Sequence, residues 1–166
     1  MRCGWIPGDL NLIAKKPMRD RVFIDTNILI YNYSEEKDKR ERALRIIEEN
    51  QDKDIVISLQ IVNEFVNILK KKFQKDHEEI RNALEEIESV FVIWELSLNL
   101  IKDSIRVSER YKYSYYDSLV ISAALDSGCS ILYTEDMQHN QSIDNKLKII
   151  NPFKLPLKRT LRQWER

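Results

Sequence analysis

The chain has 166 residues with 27 Lys plus Arg against 27 Asp plus Glu and a formal net charge of zero, which leaves no global basic field of the kind that marks a general nucleic-acid binder. Any nucleic acid has to be held by local patches. Two distant cysteines, Cys3 and Cys129, and only two histidines argue against a disulfide framework or a zinc site, and no apolar run reaches the roughly 20 residues that span a bilayer, so the reading is a single cytoplasmic domain with no membrane partner.

Residues 1–20 hold two of the three glycines and two of the four prolines, and read as a flexible extension, with Met18 a possible natural start. The pattern changes at Val22-Phe23-Ile24, a first core strand, followed by a short apolar helix over Ile28 to Tyr33. A charged helix from Asp38 to Asn50 keeps Ala43, Leu44, Ile46 and Ile47 for the core. Ile55-Val56-Ile57 is a second strand; Ser58 caps a helix running to about Phe73, and another charged helix covers about Asp76 to Ser89. Phe91 to Trp94 is a third strand, then come helices over about Ser97–Tyr111 and Tyr115–Asp126, the second stopping near Gly128. Ile131-Leu132-Tyr133 and Lys148-Ile149-Ile150 are the last strands, and Pro152 closes the pattern. Short apolar strands alternating with helices predict an α/β fold, a mostly parallel sheet of about four to five strands covered on both faces. Such sheets bind ligands beyond the C-terminal ends of their strands.

Four acids stand in positions where carboxylates are costly. Asp25 follows the first strand directly; the alternative role is an N-cap, which Thr26 or Asn27 can also fill. Glu64 falls beside Ile61 and Ile68 at the edge of an apolar helical stripe, where it either serves a site, reaches solvent, or pairs with Lys71 or another base. Asp117 leads a helix that is apolar around most of its circumference, with Val120, Ile121 and Ala124 on its own face; Ser114 as N-cap with Asp117 three positions on is the structural alternative. Asp136 follows the Ile131–Tyr133 strand in Thr134-Glu135-Asp136, with Glu135 a competing candidate and a simple turn role open to Thr134 and Asp136. Buried carboxylates gathered in one pocket repel one another, and a bound divalent cation is the simplest remedy. Oxygen ligands without His or Cys suit Mg²⁺ or Mn²⁺ rather than zinc.

The ordered set Phe23-Ile24-Asp25-Thr26-Asn27, Asn63-Glu64-Phe65, Tyr115-Tyr116-Asp117-Ser118-Leu119 and Tyr133-Thr134-Glu135-Asp136-Met137 resembles the PIN-domain nucleases, most of all the VapC-type toxins of toxin–antitoxin pairs. Ile149-Ile150-Asn151-Pro152-Phe153 is similar to the end of that domain, so the resemblance covers about Arg21 to Phe153. It implies a PIN-like three-layer fold over 21–153, leaving 1–20 as an extension and 154–166 as a basic tail. It also implies an Mg²⁺- or Mn²⁺-dependent endoribonuclease hydrolysing RNA to 5′-phosphate products. Asp25, Glu64, Asp117 and Asp136 would be the catalytic and metal-binding acids, Asp25 and Asp117 the main ligands, with Asn27 and Thr134 as supporting polar residues. A VapB-like antitoxin and a homodimer are the partners it implies.

RNA would meet local cations, either the Lys70-Lys71-Lys72-Phe73-Gln74-Lys75 run, which reads equally as a solvated helix end, or Arg106, Arg110 and Lys112. The main rival function is a catalytically idle PIN-like RNA- or protein-binding module. An aspartate-phosphorylated domain or phosphatase is a weaker rival, because those phosphatases usually need Asp-x-Asp where this chain has Asp25-Thr26-Asn27.

Overall fold

The computed structural model describes residues 20–154. The expected extension and alternative start, and the basic tail beyond Lys154, lie outside the described residues. Six strands form one sheet: β1 (Arg21–Ile24), β2 (Asp54–Ser58), β3 (Val92–Trp94), β4 (Ile131–Tyr133), β5 (Ser142–Ile143) and β6 (Leu147–Ile150), in the order β3-β2-β1-β4-β6-β5. All neighbouring pairs are parallel except β5 with β6. The predicted parallel strands are all present. β5 was not expected, because two residues are too few to show a period of two; it is held by a tight hairpin in which Asp144 (φ 49°) and Asn145 (φ 55°) take left-handed conformations.

Helices α1 (Thr26–Tyr31), α2 (Lys37–Glu49), α3 (Leu59–Lys71) and α4 (His77–Val90) fill the β1-to-β2 and β2-to-β3 crossovers, and α5 (Leu98–Tyr111) and α6 (Tyr115–Asp126) fill the long return from β3 to β4. Parallel crossovers are right-handed, so connections running in opposite directions along the sheet put α1–α4 on one face and α5–α6 on the other. The central strands are therefore buried on both sides: Phe23, Ile24, Val56, Ile57 and Leu132 are each fully buried, and each such side chain contributes about 1.5–3 kcal/mol.

The caps stop and start helices where the sequence indicates. Ser58 Oγ accepts from the Ile61 amide at 3.4 Å, and Gly128 takes φ 73° just past α6. Two expectations are corrected. Helix α1 begins at Thr26 because Asp25 itself is the N-cap, its side chain accepting from the Thr26 amide. Leu44 is not core but 43% exposed, since only Ala43 and Ile46 of its group face inward fully on α2. Cys129 is buried, which pushes its thiol up to about 11, as fits an inert structural cysteine. Among the described residues no helix is long and apolar enough to cross a membrane.

Candidate metal and nucleic-acid site

The chain leaves β1 toward β2 on one side, and the return from β3 enters β4 on the other, so the direction of winding reverses between β1 and β4. Those strands are adjacent, with Ile24 opposite Tyr133. A crevice at such a switch point, outside the carboxyl ends of the strands, is where open α/β sheets bind ligands. A cleft of about 550 Å³ opens there. Asp25, Asn27, Glu64, Asp117 and Asp136 all line it, and Thr134 is fully buried beneath it.

The three residues after β1 divide the work of building it. Asp25 Oδ1 accepts from the Thr26 amide at 2.7 Å and Oδ2 accepts from the Thr134 hydroxyl at 2.7 Å. Thr26 donates its hydroxyl to Glu64 Oε2 at 2.7 Å, and the other Glu64 oxygen accepts from Gln60 Nε2 at 2.9 Å. Asn27 donates Nδ2 to Asp136 Oδ2 at 3.0 Å and, more loosely, to Thr134 Oγ1 at 3.4 Å. One hydrogen-bonded chain thus runs from Asp136 to Gln60 through Asp25-Thr26-Asn27. Glu64 is held by Thr26 and Gln60 and not by Lys71.

Asp117 stands apart from this chain. It is tied locally, its carboxylate accepting from the Ser114 hydroxyl at 2.7 Å while its amide donates back to that oxygen at 3.2 Å. The cap does not withdraw Asp117 from the cleft wall, and the helix start favours its negative charge there. Glu135 also lines the cleft, but its carboxylate accepts from the Tyr31 hydroxyl and pairs with Lys39 at 2.9 Å. Burial would raise its pKa, yet the Tyr31 and Lys39 bonds outweigh that and hold it below the ordinary value. Between the two competing acids of this loop, Asp136 is the one whose charge lacks a basic partner among the described residues. The loop is fixed from behind by Asn151, buried, which donates Nδ2 to the Glu135 carbonyl at 2.9 Å.

Asp25 has the most perturbed environment. It is 8% exposed, and burial pushes its carboxyl up to about 6; the Thr134 and Thr26 bonds pull the other way, and the charges of Glu64 and Asp136 add to the rise. A carboxylate that costs this much to ionise, close to Glu64 and Asp136 and without an ion pair among the described residues, is where a cation lowers the energy. The donors are hard oxygens, as Mg²⁺ or Mn²⁺ prefers. Among the described residues no group of three or more His, Cys, Asp or Glu side chains stands together in an ion-holding cage. Any cation taken up there would have to keep most of its water, because the carboxylates form no ready cage.

The basic candidates separate cleanly. Lys71 and Lys72 line the cleft and form no ion pair with the described residues, whereas Lys75 pairs with Glu79 at 2.7 Å. Arg106 and Arg110 line a different cleft and are already paired, with Asp103 at 3.1 Å and Asp144 at 2.8 Å. Sequence reasoning missed Thr26 as a ligand holder and Gln60 entirely. The signal for Gln60 was its spacing, one helical turn before Glu64; the signal for Thr26 was only its place between Asp25 and Asn27.

Residues 22–141 match the PIN domain family. No curated protein matches the chain. Among solved structures it is similar to a chain of a toxin–antitoxin complex from Klebsiella pneumoniae, at 25% identity and TM-score 0.61, covering 81% of this chain and 99% of that one. It is also similar to VapBC2 from Rickettsia felis bound to a promoter DNA fragment (20%, TM-score 0.57, 79% and 99% covered) and to Mycobacterium tuberculosis VapC20, a sarcin–ricin-loop-cleaving toxin (14%, TM-score 0.54, 67% and 86% covered). With the family match spanning most of the described residues and the same α/β architecture underneath it, this chain belongs to the PIN domain family and has the fold of the VapC-type toxins.

Proposed function

We propose that residues 21–153 form a divalent-metal-dependent endoribonuclease, the toxin of a toxin–antitoxin pair. The observation that carries this reading is Asp25: a carboxylate buried at the switch-point crevice, pushed up to about 6, and facing Glu64 and Asp136 with no base among them. Family membership gives the nuclease direction, and the resemblance to a sarcin–ricin-loop-cleaving toxin favours RNA.

Asp25 and Asp117 are the main metal ligands in this reading, with Glu64 and Asp136 completing the shell directly or through water. Thr26, Gln60, Asn27 and Thr134 orient those carboxylates. Mg²⁺ or Mn²⁺, when bound, lowers the pKa of a water and offsets charge on the scissile phosphate. Water adds to phosphorus in line with the leaving 3′ oxygen; the P–O3′ bond breaks, the 3′ oxygen takes up a proton, and a 5′-phosphate remains. Lys71 and Lys72, which form no ion pair with the described residues although Lys72 Nζ lies 5.8 Å from the Phe73 ring centroid, meet the phosphate backbone despite the neutral chain. A VapB-like antitoxin that covers the acidic cleft, a homodimer and a cytoplasmic setting belong to the same proposal, the first supported by the toxin–antitoxin complexes among the neighbours.

The test is cleavage of RNA and DNA oligonucleotides with Mg²⁺, with Mn²⁺ and with EDTA, using the wild type and Asp117→Asn. Metal-dependent RNA cleavage that Asp117→Asn loses supports the reading. Metal-independent cleavage, or full activity in the variant, defeats it, and metal-free binding without cleavage points to the idle binding module instead.

A further inference from the structure

The cleft has a second character besides its acids. Tyr116 lines it immediately before Asp117 and is 65% exposed, and its hydroxyl makes no hydrogen bond to the described residues. The fold does not use this ring: α6 is anchored instead by Ser118, Leu119, Val120 and Ile121, all buried. Tyr115, itself 38% exposed, makes an edge-to-face contact with Tyr116, centroids 5.3 Å apart and planes at 66°, and Tyr116 keeps most of its surface exposed beside it. Elsewhere on the rim stand Lys71 and Lys72, charged and without ion pairs, whereas Lys39, on the same cleft's Tyr31–Glu135 side, is neutralised.

We propose that Tyr116 is a stacking platform for one unpaired base next to the scissile phosphate, with Lys71 and Lys72 taking the adjoining phosphates. This rests on the nuclease reading and assigns the residue of this chain that would hold a base beside the cut. An aromatic face captures a base only when that base is splayed out of a helix, since the bases of an A-form duplex are covered by their neighbours. A duplex would also bring a dense row of phosphates to a cleft that offers two free lysines against several carboxylates. A volume of about 550 Å³ accommodates a nucleotide rather than a helix.

Binding of a 5′-fluorescein-labelled, mixed-sequence 12-nucleotide single-stranded RNA to the full chain in EDTA, read by anisotropy, isolates this from catalysis. Tyr116→Ala is expected to weaken binding roughly 5- to 100-fold. Tyr116→Phe and Tyr116→Trp keep it within about twofold, and the Tyr116→Trp protein gains an RNA-dependent quench beyond any change in the three native tryptophans. Lys71→Ala and Lys72→Ala each lower the salt slope by about 0.7. An RNA duplex of the same sequence binds weakly and indifferently to Tyr116→Ala. Wild-type affinity in a folded Tyr116→Ala protein, equal losses on duplex and single strand, or no RNA binding by the wild type overturns the proposal and leaves the rim to a protein partner. The parent reading fails separately: RNA held through Tyr116 yet never cut with Mg²⁺ or Mn²⁺ sinks the nuclease and spares the platform, and cleavage with unchanged KM in Tyr116→Ala does the reverse.

Discussion

Two clefts of similar size, about 550 Å³ at the switch point and 490 Å³ beside the β5–β6 hairpin, treat charge in opposite ways. In the second, Arg110 and the Tyr111 hydroxyl both reach Asp144, each at 2.8 Å, so its one lining carboxylate is neutralised and the hairpin is pinned to α5. In the first, Asp25, Glu64 and Asp136 are oriented by neutral donors, Thr26, Gln60, Asn27 and Thr134, and none has a basic partner among the described residues. A fold that only needed stability would have paired them as it paired Glu135 with Lys39 a residue away. Orientation without neutralisation is the mark of groups kept available for a ligand's charge.

The strongest break in that contrast is Asp25→Asn. RNA cleavage should fall to background in a gel assay, while the metal-free protein becomes more stable at pH 7 by on the order of 1–3 kcal/mol in urea unfolding, because a buried charge at a raised pKa is removed. A metal-free variant less stable than wild type would contradict the burial argument. Next come the orienting donors: Thr26→Val and Gln60→Leu should each lower metal affinity or kcat roughly 10- to 100-fold with the fold retained, measured by calorimetric titration and initial rates. Equal activity would make those bonds merely structural.

Acidity sharpens the same point. Asp25 binds its proton more tightly folded than unfolded, so its contribution to metal-free stability is largest below the unfolded value of 3.8 and declines as pH rises through about 6. Above that, its ionisation opposes folding in full. Metal binding needs the ionised form, so apparent Mg²⁺ affinity should fall about tenfold per unit below pH 6, and added Mg²⁺ should raise Tm more at pH 7.5 than at pH 5.5. A flat pH response would remove Asp25 from the first coordination sphere. A smaller effect is expected for Glu135→Gln, which removes the Lys39 ion pair but not the site: stability drops by about 1 kcal/mol and activity changes only a few-fold, whereas Asp136→Asn spares stability and weakens metal binding. Arg110→Ala, the control from the other cleft, should cost at most about 1 kcal/mol and leave cleavage untouched.

Much of this was legible along the chain because each strand is buried on both faces and so reads as a short, continuous apolar run, such as Val22-Phe23-Ile24 or Ile131-Leu132-Tyr133. Asp25 and Asp136 stood out as acids just past such runs, and Asp117 as an acid on an apolar helix. Leu44 misled because α2 is amphipathic with a narrow buried stripe, and neighbouring apolar residues on a helix point 100° apart, too far for four of them to share it. Strand β5 was invisible because its pairing depends on a turn rather than on its own two residues.

The sequence by itself determined the element order, the strand ends and the acid types, since these follow from local burial and from side-chain chemistry. Only tertiary structure decided which charges remain unpaired. It set Lys39 against Glu135, 96 positions away, left Lys71 and Lys72 on the rim of the acidic cleft, and ran the hydrogen-bonded chain from Asp136 through Asp25-Thr26-Asn27 to Gln60. Those pairings span distances along the chain over which no periodicity operates, and they arise where β1 and β4 become neighbours in the sheet.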